Sequence, residues 1–328
     1  MSVSGKSNSS SKLIKPRVPE ALQLREEAIS AALRRAVETG GKTGIAAELL
    51  ETILLPHLAK ERVDLLEPLA LLPAIAHGGV IPSMVEVLPQ IEQLKRERHQ
   101  LRVEHATILS AIKVLVAAAR EEGKPQHAGF AERLLLRAWL DDSVFTPLAV
   151  LIGKVIQLQV DPGAMERRPQ DCLGQPSPTD LPQALRVSHA RLSAALAKAV
   201  RARGQTMIAA EVVAQLFETH LYKEEKQVLR ILGLLESIAT NGNVTASEED
   251  LSQWDLLEPN EKSLHQEHAL LVHATERLLA TARGEGLDEV VELAEQLLMR
   301  IRLDEEVFYP AALLIRDYLK RKAGSNSR

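Results

Sequence analysis

One long internal repeat constrains this chain more than any local pattern does. The segment Pro19-Glu20-Ala21-Leu22 recurs as Pro182-Gln183-Ala184-Leu185, 163 residues on. The same offset carries Ile45-Ala46-Ala47-Glu48 onto Ile208-Ala209-Ala210-Glu211, and Leu71-Leu72 onto Leu234-Leu235. It also carries Glu104-His105-Ala106 onto Glu267-His268-Ala269, and Val144-Phe145 with Pro147 onto Val307-Phe308 with Pro310. All these anchors share one offset, so they align without gaps. A period of roughly 160 residues is too long for a solenoid unit and suits a domain.

The copies are separated by 161–181, which opens with Asp161-Pro162-Gly163 and holds Pro169, Pro176 and Pro178, the composition of an exposed linker. The expected organisation is a polar tail (1–18), a first unit (19–160), the linker (161–181), a second unit (182–323) and a short tail (324–328). Each unit is expected to fold on its own. Within the first, helical periodicity runs over 19–38, 45–72, 90–122 and 126–158, with bends near Pro56, Pro68 and Pro147. Gly40-Gly41 and Gly123 with Pro125 make short connections, and 73–89 a longer one. The second copy repeats the plan at 182–201, 208–235, 255–284 and 289–321. Aromatic residues are only 3% of the chain, and strong helix formers dominate. The reading is an all-α protein of two tandem up-down four-helix bundles.

Several function classes are set aside. A net charge of −4 with no basic stripe argues against nucleic acid. The single cysteine, Cys172, excludes an intrachain disulfide framework and a cysteine-built zinc cluster. The Ser-rich N-terminus lacks the apolar core of a signal peptide, and no apolar run approaches the ~20 residues of a membrane span, so a cytoplasmic protein is expected. Nucleophile elbows, phosphate-cradling loops and nucleotide fingerprints are not found.

What remains is a set of histidines and acids on matching faces. His57 and Glu61 are four apart and share a helical face, as do His220 and Glu224. A third-helix histidine accompanies each pair, His105 or His268. On the fourth helix stands an acid pair, Asp141-Asp142 or Asp304-Glu305, just before Val-Phe-x-Pro. The second copy adds His189 on its first helix, where the first has Glu26. Helical bundles build metal sites from His and carboxylate side chains projecting inward, a donor set that suits iron and zinc.

In these motifs each copy resembles the hemerythrin-like, or HHE cation-binding, family. The residues that carry the resemblance are Ser188-His189, Thr219-His220-Leu221-Tyr222-Lys223-Glu224-Glu225, Gln266-Glu267-His268 and Leu303-Asp304-Glu305-Glu306-Val307-Phe308-Tyr309-Pro310. The first copy offers Leu55-Pro56-His57-Leu58-Ala59-Lys60-Glu61 and Val103-Glu104-His105. The resemblance implies a four-helix bundle around a non-haem, usually di-iron, centre used for carrying oxygen or for sensing oxygen and iron. It implies metal ligands Glu26, His57, Glu61, His105 and Asp141 in the first copy, and His189, His220, Glu224, His268 and Asp304 in the second. The expected partner is a small molecule such as oxygen or peroxide, and no membrane or nucleic acid. The sequence names no protein partner.

Both copies depart from the family on the fourth helix. Where a histidine often stands four residues before the acidic ligand, this chain has Arg137 and Arg300. A guanidinium stays protonated and cannot ligate a metal, but it can pair with the acid one turn away. Two readings follow: iron held by a reduced ligand set with an open position, or metal-free bundles with a structural or partner-binding role. Should the chain be an enzyme, a di-iron oxidase or peroxidase is the candidate. The first copy sets three candidate carboxylates against one arginine and the second sets two, so the first is expected to lean more on a cation. His265 is a possible substitute ligand, and Glu225, Asp142 and Glu305 adjoin proposed ligands. Tyr222 and Tyr309 are expected to pack or hydrogen-bond at the bundle rim rather than to act as radicals or ligands.

Overall fold

Apolar positions recur at helical spacing in both copies, and helices form wherever they do. The computed structural model describes residues 17–161, 181–240, 244 and 248–326, and the regular structure among the described residues is all helical. The first copy supplies α1 (Glu20–Glu38), α2 (Gly41–Glu61), α3 (Glu67–Leu69), α4 (Leu72–Gly78), α5 (Leu88–Glu121), α6 (Pro125–Leu140) and α7 (Thr146–Val160). The second supplies α8 (Gln183–Ala199), α9 (Gly204–Gln227), α10 (Leu235–Thr240), α11 (Glu248–Trp254), α12 (Leu257–Glu285), α13 (Asp288–Leu303) and α14 (Tyr309–Asn326). In the first copy α1 lies against α2, α2 against α5, α5 against α6, and α6 back against α1. Helices α8, α9, α12 and α13 close the same circuit in the second.

The expected second helix, 45–72, is broken after Glu61, and the expected 73–89 connection holds α4 and a 3-10 turn, Pro82–Val87. Helix α2 runs through Pro56; the breaks come instead at π turns, Arg62–Leu66, Asp141–Phe145 and Asp304–Phe308. Two residues after each of these turns stands a proline, Pro68, Pro147 or Pro310. Proline donates no N–H, and its ring collides with the carbonyl four residues back; a widened turn just before it relieves the collision. The second copy provides a control within the same chain. Ile231 stands in the place of Pro68, and there a 3-10 turn, Leu229–Leu234, replaces the π turn.

The two copies also start their second helices alike. Glu122 accepts hydrogen bonds from the Lys42 and Thr43 amides at 2.7 and 3.0 Å, satisfying N–H groups that the first turn of α2 leaves open. Glu285 does the same for Gln205 and Thr206 of α9. Gly41 and Gly204, at φ 64 and 74°, make the approach possible: a Cβ at either would stand 2.4 Å from the carboxylate oxygen.

Each helical circuit has its own apolar interior. Leu33, Leu50, Leu54, Ile112, Leu115 and Phe130 fill the first, and Leu196, Val213, Phe217, Leu271, Leu278 and Leu297 the second. The largest buried cluster belongs to neither. It joins Leu69, Leu72, Ile91, Leu148 and Ile152 of the first copy to Leu229, Leu232, Leu235, Leu314 and Ile315 of the second. At this junction the repeat-equivalent Phe145 and Phe308 stack, with ring centroids 6.0 Å apart. Polar ties flank it: the Ala21 amide donates to Glu306 at 2.8 Å, and Arg191 pairs with Glu132 at 2.8 Å.

One continuous helical stretch, Pro125–Val160, is apolar and long enough to cross a membrane, contrary to the sequence reading, but 72% of its most apolar window is buried within the protein. Residues 146–156 are all buried, because α7 is covered on every side. The proposed linker lies outside the described residues except for Asp161 and Leu181, as does most of the N-terminal tail.

Candidate metal centres

The i, i+4 spacing on α2 brings His57 and Glu61 to one inward face, and α5 supplies His105 opposite them. The His57 and His105 Nε2 atoms are 2.9 Å apart, and Glu61 Oε1 is 3.1 Å from the first and 3.4 Å from the second. All three side chains are buried. The second copy builds the same group from His220 and Glu224 on α9 and His268 on α12, with the Nε2 atoms again 2.9 Å apart. Both groups, His57–Glu61–His105 and His220–Glu224–His268, can hold a metal ion.

What surrounds the histidines matters as much as the three donors. His57 Nδ1 is 3.1 Å from Glu104, and His105 Nδ1 is 2.8 Å from Asp142. In the second copy His220 Nδ1 is 3.1 Å from Glu267 and His268 Nδ1 is 2.9 Å from Glu305. A carboxylate at Nδ1 holds the proton there and turns the Nε2 lone pair inward, the arrangement that orients imidazole toward a metal. Glu104, Asp142, Glu267 and Glu305 are thus orienting partners.

The arginines lie inside, as their spacing predicts. Arg137 donates to Glu61 Oε2 at 2.9 Å and to Asp141 Oδ2 at 3.0 Å. Arg300 pairs with Asp304, lies 3.4 Å from Glu224, and its Nη2 is 2.8 Å from His189 Nε2. Asp141 and Asp304 are thus each paired with an arginine beside the centre, and Asp304 also shares a hydrogen bond with Glu224. Glu26 is buried, yet its carboxylate is taken by Arg62 at 2.7 Å. His189 turns Nδ1 to Glu225 at 2.6 Å and Nε2 to Arg300. His265 gives Nδ1 to the Glu261 carbonyl at 2.9 Å.

Arg25 and Tyr309 are among the residues missed or misread in the sequence. Arg25 of α1 comes close enough to Asp141 and Glu61 to feel both charges, and burial lowers its guanidinium to about 10. With Arg25 counted, the first centre no longer has the larger excess of negative charge. Tyr309 is not at a rim: it is fully buried with its hydroxyl 3.2 Å from His268 Nε2. Tyr222, by contrast, is exposed on α9.

The same donors are held in different protonation states. Burial opposes a charge on His105, but hydrogen bonds to Asp142 and Glu61 outweigh it and push the imidazole up to about 10. His57 is raised too, as Glu61 and Glu104 outweigh its burial. In the second copy burial lowers His220, with the nearby Glu224 too weak to offset it, and burial with Arg300 lowers His189. Burial raises both Asp141 and Asp304 against their arginines, whereas the histidine hydrogen bonds hold Glu61 low and Arg300 holds Glu224 low.

The histidines of the two copies should therefore lose their contributions on opposite sides of pH 6.5. His105, raised above its usual 6.5, contributes stability that is fully present below 6.5 and lost as pH climbs through about 10. His220 and His189 are depressed, so their contribution is present above 6.5 and lost on acidification. In the metal-free chain, hydrogen exchange read by mass spectrometry is expected to loosen α2 and α5 first in alkali, and α8 and α9 first in acid. Identical loosening of both copies at both extremes would show that these histidines do not set the pH response.

No family model matches the chain, and comparison with curated proteins and with solved structures finds no match either.

Proposed function

We propose that each copy is a hemerythrin-like four-helix bundle holding one non-haem iron ion, and that the protein binds or senses oxygen, iron or a related small oxidant. The observation that carries this reading is the pair of Nε2 atoms 2.9 Å apart, each ring having its other nitrogen on a carboxylate, in both copies. Two lone pairs aimed at one point repel unless a cation or a proton sits between them. Two imidazoles and one carboxylate with open positions are the donor set of non-haem ferrous iron. The closed four-helix circuits and the inward spacing of the donors support the bundle reading. The ion would be single: Arg137 and Arg300 bridge the acids that a second metal would otherwise share, and neutralise them with a fixed positive charge. The protein's part is to orient the imidazoles and to keep the centre dry.

A second reading has one observation in its favour. The same arginine bridge satisfies the acids without any metal, which suits bundles with a structural or partner-binding role. Elemental analysis of protein expressed in iron-replete medium separates the two. One ion per copy is expected, falling by half when His57 and His105 are both replaced by alanine. A chain that emerges metal-free and takes up no ferrous iron on anaerobic reconstitution belongs to the second reading.

A further inference from the structure

Besides Arg25 against Ser188 and Glu26 against His189, the two centres differ at a residue beside the third-helix histidine. Position 146 is threonine, and its repeat equivalent 309 is tyrosine. In the first copy Thr146, Glu61 and His105 line a small cavity of about 10 Å³, whose other walls are Leu65, Leu94 and Leu101 with Lys60 and Asp64. That is room for about one water-sized guest. In the second copy the corresponding side chain is a phenol. Its ring stacks on His268, with centroids 5.4 Å apart and 13° between the planes, and His265 packs against it edge-on at 5.5 Å.

The hydroxyl is placed as a donor. Tyr309 Oη is 3.2 Å from His268 Nε2, which is itself 2.9 Å from His220 Nε2. Atoms that share one small ion at bond lengths of about 2.1 Å stand roughly 3 Å from one another, so these spacings fit a common ion. Building on the metal-binding reading, we infer that Tyr309 is a fourth protein donor of the second centre, and that the centres are unequal. The first is open to an exogenous molecule of one or two heavy atoms; the second is closed by the chain's own phenol oxygen. An ion held there would be bound by the deprotonated phenol oxygen, the phenolic proton going to solvent. Thr146 is too short to do this, which leaves the cavity beside Glu61 and His105.

The full chain would be loaded with ferrous iron under nitrogen, its iron measured, and one portion oxidised with ferricyanide. The oxidised parent is expected to show a visible phenolate-to-ferric charge-transfer band, with phenolate ring modes enhanced in resonance Raman. Tyr309→Phe keeps the ring and should lose the band while still holding iron in both copies. Nitric oxide added to the ferrous portion should give a nitrosyl signal from one of the two ions. Thr146→Tyr should abolish that signal and add a second phenolate, with helicity by circular dichroism confirming the fold. A band that persists in Tyr309→Phe, or nitric oxide bound equally at both ions of the parent, would overturn the inference. Full iron loading without any phenolate band overturns this inference alone; no iron uptake overturns the metal reading with it.

Discussion

Arg300→Ala is expected to destabilise the metal-free chain by on the order of 3–5 kcal/mol, the usual result of removing one partner from a buried ion pair. Arg300 is buried between Asp304, Glu224 and His189, and among the described residues it is the buried guanidinium of that centre. Protonation of Asp304, whose carboxyl burial already pushes up, relieves part of the strain. Glu224 keeps its hydrogen bonds to Asp304 and Tyr309 but loses its fixed positive neighbour. Arg137→Ala should act in the same direction but less strongly, because Arg25 also acts on Asp141 and Glu61, whereas its repeat equivalent in the second copy is Ser188. Ferrous iron should then restore the variants more than it stabilises the parent, by mass action on the folded state. Arg300→His goes further: it removes the repelling charge and adds a neutral nitrogen, so metal occupancy of the second copy should rise. Urea denaturation with and without iron, under nitrogen, measures all of this. Variants with unchanged midpoints in both conditions would show that the arginines do not neutralise the centres.

The parts of this site that follow helical periodicity were legible in the sequence. His57 and Glu61, their equivalents, and the two arginines one turn before an acid are buried: the i, i+4 spacing puts each pair on one face, and the apolar residues that share that face turn it inward. The repeat offset added what a single copy could not, since each residue is seen twice. Three features were beyond that reasoning. The carboxylate that orients His57 is Glu104, which adjoins His105 in sequence but serves a histidine on another helix. Arg25 and Arg62 lie off the inward faces, and long side chains carry their charge around the helix. Asp141 and Asp304 pair with the arginines one turn back, as their i, i+4 spacing allows, but they also open π turns that the helical periodicity did not announce. A proline six residues after each acid, Pro147 or Pro310, was the available signal. Tyr309 was misread for a related reason: it follows the π turn, and the extra residue turns it from the rim toward the core.

The second large effect concerns the junction between the copies. A proline-rich stretch between two similar units suggests domains that can be cut apart, but the packing argues for interdependence. Helix α7 is buried over 146–156, and part of what covers it comes from α10 and α14 of the other copy. Expressed alone, each copy would lose part of the cover of the shared cluster, where Leu72, Leu148 and Ile152 of the first meet Leu235, Leu314 and Ile315 of the second, and would present an apolar face to water. Each isolated copy is therefore expected to aggregate or to unfold without cooperativity. A full chain cleaved within 162–180 should behave differently, with its two fragments co-eluting and melting as one unit. Phe308→Ala, which removes half of the stacked pair with Phe145, should cost about 3–5 kcal/mol in the intact chain. The loss should extend to the metal centres, because Phe145 and Phe308 end the π turns that begin at Asp141 and Asp304. A junction that shifts either phenylalanine shifts the turn and, through the arginine, the charge beside the donors. Two separately expressed copies, each monomeric and melting cooperatively, would show that the shared core is dispensable and that each centre stands on its own bundle.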